Sequence, residues 1–95
     1  MRRAAVKALV RENSEVVECV VMRPHVLVHV RTLVCDCAYH AVGHAECSKG
    51  DAWNEGRGIQ IAKGRAEREI VDRVLVTRFD LGAITRWQLG VTARA

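Results

Sequence analysis

The sequence predicts a small α+β domain of α-β-β-β-α order, with a three-stranded antiparallel sheet packed on helices. Three observations carry this. Near the N-terminus basic and apolar residues recur at helical spacing; valine-rich stretches with interspersed polar residues flank the chain's one proline; and a long later segment keeps its apolar residues on one helical sector. A chain of 95 residues has room for one core. Residues 1–78 are read as that domain and 79–95 as a C-terminal tail or cover segment.

In "RRAAVKALVRE" Arg3, Lys7 and Arg11 recur every four residues while Val6, Leu9 and Val10 fall on another side, which predicts a short amphipathic helix with one basic edge. "SEVVECVVM" and "HVLVHVRTLVCDCA" are β-branched and predict two strands, with Pro24 in "RPH" marking the turn between them. "YHAVGHAEC" predicts a third strand. "SKGD" then breaks the pattern, with Ser48 or Asp51 available to cap a helix running from about Ala52 to Leu75. On that helix Ile59, Ala62, Ala66, Ile70 and Val74 fall in one sector suited to a sheet, and Arg57, Arg65 and Arg68 with Ile61 lie on the far side. Gly56, Gly58 and Gly64 each cost a helix about 1 kcal/mol relative to alanine, which points to close backbone approach or an irregular first turn.

Composition excludes some classes. Hydrophobic residues make up 49% and charged residues 27%, a globular balance rather than a disordered one. No apolar run approaches the roughly 20 residues of a membrane span, and the basic start lacks the apolar stretch of a secretory signal, so a cytoplasmic protein with no membrane partner is expected. Four cysteines in that setting are thiols or metal ligands rather than disulfides. A net charge of +4 permits contact with nucleic acid or an acidic protein and demands neither.

The densest chemistry is "CDCAYHAVGHAEC", residues 35–47, with the pattern C-x-C-x2-H-x3-H-x2-C. Structural zinc sites use a tighter knuckle paired with a second pair further off, so this spacing is atypical. A strand over residues 31–38 would put Cys35 and Cys37 on one face, with His44 as a third ligand on the returning strand and Cys47 at its end. Buried structural thiols are the stronger reading, with no metal and no cofactor. A cysteine nucleophile with His40 or His44 lacks a third orienting group. No glycine-rich phosphate loop, paired carboxylates or hydrolase elbow occurs, so no enzymatic activity is expected.

"AECSKGDAWNEGRGIQIAKGRAERE", residues 45–69, resembles a segment of small uncharacterised proteins from phages of actinobacteria, mycobacteriophages among them: a D-x-[FYW]-[ND] helix start followed by G-R-x-I-A-x-G-R-A-like text. Asp51, Trp53, Asn54, Gly58, Ile61, Ala62, Gly64, Arg65 and Ala66 carry the resemblance, which covers about a quarter of the chain. It implies a host-cell phage accessory protein with the helix, three strands, helix order of a double-stranded-RNA-binding domain. Such domains grip A-form duplexes by shape, and the Pro24-His25 dipeptide resembles their proline-histidine turn. Their last helix opens on adjacent lysines, whereas here Asp51 and Glu55 stand in that position and repel phosphate.

Two partner classes follow. A nucleic acid would be held by Arg3, Lys7, Arg11, His25, Arg57, Arg65 and Arg68. Alternatively the tail offers Phe79, Trp87 and Leu89 to a host protein or to a second copy in a homodimer, since tryptophan and arginine, adjacent in "TRWQL", anchor interfaces.

Overall fold

The computed structural model describes residues 3–80. Helix α1 (Arg3–Glu12) leads into strands β1 (Ser14–Met22), β2 (His25–Val34) and β3 (Cys37–Glu46), and helix α2 (Glu55–Val74) follows, continued by a π-helical segment over Leu75–Asp80. The sheet has the order β1-β2-β3 with both pairs antiparallel. The α-β-β-β-α order expected from periodicity is therefore the order observed. Among the described residues no helix is long and apolar enough to cross a membrane.

Strand boundaries follow turn chemistry. Arg23 and Pro24, joined by a cis peptide bond, make the β1–β2 turn. The β2–β3 turn is Cys35-Asp36, and both residues have positive φ, 50° and 65°, as a two-residue type I′ hairpin requires. That turn corrects the longer second strand read from the sequence: β2 stops at Val34, and β3 starts at Cys37 rather than at Tyr39. The start of α2 is corrected as well. Asn54, not Ser48 or Asp51, caps it, its side-chain oxygen accepting from the Arg57 backbone N–H at 3.0 Å. Asp51 N–H instead donates to the Ser48 carbonyl at 3.0 Å within the preceding loop.

Period two puts the even residues of β2 and the odd residues of β3 under the helices. Val26, Val28, Val30, Thr32 and Val34 are buried from β2, and Tyr39, Ala41 and Ala45 from β3. The helices add Val6 and Val10 from α1 and Ala62, Ala66, Ile70, Val71 and Val74 from α2. Thr32, the buried polar residue here, is satisfied by a 2.7 Å hydrogen bond between its hydroxyl and that of Ser14. The expected helix sector holds, with Ile59 packing half-buried against the core.

The closest contact between layers is backbone on backbone. An ideal Cβ on Gly43 would lie 1.7 Å from the Ala62 carbonyl oxygen and 2.8 Å from the Ala66 nitrogen. The small residues of α2 and the glycine of β3 thus set the height of the helix above the sheet. Of the helix glycines, a Cβ on Gly58 would lie 3.0 Å from Val26 Cγ2, whereas Gly64 has open space around it.

Candidate functional site

Three of the basic residues named above come from α1 and meet α2 across one groove. Arg3, Lys7, Arg11 and Arg68 line it together with Gly64, Glu67, Val71 and Asp72, enclosing about 560 Å³. Helical spacing explains the α1 row: burying Val6 and Val10 turns positions 3, 7 and 11 towards the neighbouring helix. Arg3 Nη1 sits 2.6 Å from Asp72 Oδ1 with both side chains about half exposed, a pair worth at most about 1 kcal/mol in water. Among the described residues Lys7, Arg11 and Arg68 make no ion pair. Four cations therefore face two carboxylates, those of Glu67 and Asp72.

The remaining arginines of α2 are exposed as expected but do not share that groove. Arg65 reaches over the outer edge of β3 and donates to the His44 carbonyl at 2.6 Å, and Arg73 donates in the same way to the His40 carbonyl. Two otherwise unpaired carbonyls of an edge strand are thereby occupied, a common way of closing a sheet edge. Arg57 lines a separate cleft of about 600 Å³ with Pro24, Cys47, Trp53 and Ile61. Arg23 stacks its guanidinium 5.3 Å from the Trp53 ring centroid beside it. His25 lies on the other side of the sheet, remote from the α1–α2 groove.

That other side of the sheet is uncovered among the described residues, and it gathers all four histidines of the chain. The strand register places Leu27 opposite His44, His29 opposite Val42 and Arg31 opposite His40. The rings close on the diagonals of this ladder. His25 Nδ1 is 2.9 Å from His44 Nε2, and His29 Nε2 is 2.8 Å from His40 Nδ1. Each pair is hydrogen-bonded, with the tautomer deciding which ring donates. Sequence reasoning missed this arrangement. Its signal was H-x3-H in two adjacent strands, which period two puts on one face of each.

β1 is the least covered element. Val17 is 50% and Met22 58% exposed, and Val16, Val20 and Val21 are exposed as well, so both faces of the strand show apolar groups. Among the described residues nothing pairs with its outer edge. A register shift between Val16 and Glu18 leaves Val17 as an extra residue there.

The cysteines differ from the expected buried thiols. Cys19 and Cys37 are exposed, Cys35 is exposed in the hairpin turn, and Cys47 is half-buried with its sulfur 3.7 Å from the Ser48 and Asp51 carbonyls. The turn at Cys35 removes the common strand face imagined for Cys35 and Cys37. Among the described residues no three His, Cys, Asp or Glu side chains converge as a metal cluster. Trp87 and Leu89, and the side chain of Phe79, lie outside the described residues.

No protein-family model matches the chain, and neither does any curated protein or solved structure.

Proposed function

We propose that the chain acts by binding, without chemistry of its own, and that its α1–α2 groove takes the phosphate backbone of a nucleic acid. The observation that carries this reading is the convergence of Arg3, Lys7 and Arg11 from one helix with Arg68 from the other. The α1 cations recur about 6 Å apart along the helix axis, a row rather than a point, which suits a polymer of charges better than a single anion. The resemblance of residues 45–69 to phage proteins with a double-stranded-RNA-binding order adds a duplex as the first substrate to try, and a host-cell accessory role as its setting. Arg57, Arg65 and His25 are left out of this interface.

The test is binding to mixed-sequence duplexes across a salt series. Four phosphates neutralised on B-DNA give a slope of log affinity against log salt near −3.6, and changing Lys7, Arg11 and Arg68 to glutamine reduces its magnitude by about 2.7. The loss falls equally on all sequences, because phosphate contacts carry no base information. A triple variant that binds like the parent sinks the reading.

A protein partner is the second reading, and β1 favours it. A nine-residue edge strand with exposed valines on both faces is a template for strand addition. A second copy pairing β1 on β1 is the simplest occupant.

A further inference from the structure

We infer that the open face of the sheet is a binding site for late first-row divalent metal ions of the zinc–copper class, with one ion bridging His25 and His44 and a second bridging His29 and His40. The inference stands independently of the nucleic-acid reading, since it concerns the opposite side of the sheet.

The geometry is that of two poised chelates. Zinc bound to two imidazoles at about 2.0–2.1 Å with a tetrahedral angle needs its nitrogens about 3.3 Å apart. The ring nitrogens already lie 2.9 and 2.8 Å apart, so each pair opens by about half an ångström to admit an ion. The hydrogen now shared between the rings moves to the other nitrogen of the donor ring. Both imidazoles stay neutral and each turns a lone pair to the metal. Strands hold the Cα positions, so little ordering is left for the ion to impose.

Each pair also has a carboxylate directly across the ladder. Glu46 stands opposite His25, and Glu18 stands opposite His29, both on the open face. Directly opposed residues have Cβ atoms about 4.5–5.5 Å apart, within reach of a third ligand contributed by a side-chain rotation. The two histidine pairs thus recur with the same offset between β2 and β3, whereas the glutamates come from different strands, Glu46 from β3 and Glu18 from β1, and neither converges on its pair until its side chain rotates. Four residues along a strand separate the sets by about 13 Å, so they hold separate ions. Imidazole with carboxylate suits zinc, nickel and copper better than calcium or magnesium.

The two sites are unequal. Arg31 stands opposite His40, held there by a 2.8 Å salt bridge to Glu15 Oε1. Its charge opposes a cation at the second pair, whereas the first pair has Met22 as its other neighbour across the ladder. The His25–His44 site is the tighter of the two.

Calorimetric titration of the whole chain with zinc chloride, repeated with cobalt(II) as a spectroscopic probe, tests this. Two equivalents are expected, in two steps, with no thiolate-to-cobalt charge-transfer absorption. His44→Gln removes the tighter step and His40→Gln the weaker one, each weakening its own site by at least about tenfold and leaving the other. Glu46→Gln weakens only the first. Circular dichroism of these exposed-face variants checks that the fold is kept. Lowering the pH weakens both steps, because protons compete for the same nitrogens. Absence of saturable binding overturns the inference. Stoichiometry unchanged in His44→Gln and His40→Gln also overturns it, as does thiolate absorption showing that the cysteines carry the metal.

Discussion

Changing Gly43 to alanine adds one methyl group at the point where sheet and helix backbones meet. That carbon would stand 1.7 Å from the Ala62 carbonyl oxygen, 2.7 Å from its carbon and 2.8 Å from the Ala66 nitrogen. Ordinary contact begins near 3.5 Å, so α2 has to lift by more than about 1 Å. No side chain can rotate away, because every atom met is backbone. Ala62, Ala66 and Ile70, fully buried at present, lose close packing on β3, and a gap of 0.5–1 Å already forfeits about a quarter to a half of a van der Waals well. Overpacking costs about 1–3 kcal/mol, and backbone contact puts this case at the upper end. The unfolded-state gain of a glycine-to-alanine change returns about 0.4–1 kcal/mol. A net loss of about 2 kcal/mol lowers Tm by about 8–16 °C in a domain of this size. Gly64→Ala is the control: it sits in α2, the helix that Gly43 approaches, with open space around it, and should stabilise by about 0.5–1 kcal/mol. Thermal melts and urea titrations of both variants decide the matter. If Gly43→Ala melts within about 3 °C of the parent, the backbone-on-backbone contact is not what sets the helix height.

Asn54→Ala should cost about 1 kcal/mol, read as a drop in urea midpoint, because the Arg57 N–H loses its acceptor. Tyr39→Phe removes the 2.8 Å hydroxyl contact to Thr77 and should cost at most about 1 kcal/mol, since the Thr77 hydroxyl keeps the Arg73 carbonyl. Val20→Lys puts a charge on the bare edge strand and should shift sedimentation towards monomer at high concentration; an unchanged profile removes β1 as a self-association surface. Protein prepared without added metal should stay folded in excess chelator; chelator-induced unfolding together with thiolate absorption in the cobalt form would mean that the cysteines of residues 35–47 hold structural zinc after all.

The order of elements was legible because α1 repeats every four residues, the strands are valine-rich stretches flanking Pro24, and α2 keeps a period of 3.6. The buried sector of α2 was legible for the same reason, since Ala62, Ala66, Ile70 and Val74 share one angle. Boundaries were harder. Cys35-Asp36 lacks the glycine that usually announces a type I′ turn, so the second strand was read through it. Asn54 is hard to single out as the cap because Ser48 and Asp51 offer the same chemistry a few residues earlier. The α1 row was visible in the sequence, but that Arg68 joins it while Arg65 turns to the strand edge depends on how the helices cross. The histidine face needed register. H-x3-H fixes a face within a strand, whereas only the pairing of β2 with β3 brings His25 to His44 and His29 to His40.

The two margins of the sheet behave differently, and this bears on what size of assembly the chain can form. Arg65 and Arg73 occupy outward carbonyls of β3, so that side gives an incoming strand fewer acceptors. β1 has no such guard among the described residues. If β1 takes a second copy, as in the second reading above, the product is a six-stranded sheet whose outer margins are both β3, and pairing stops there. Growth into fibres needs two active sides, and the arginines remove one.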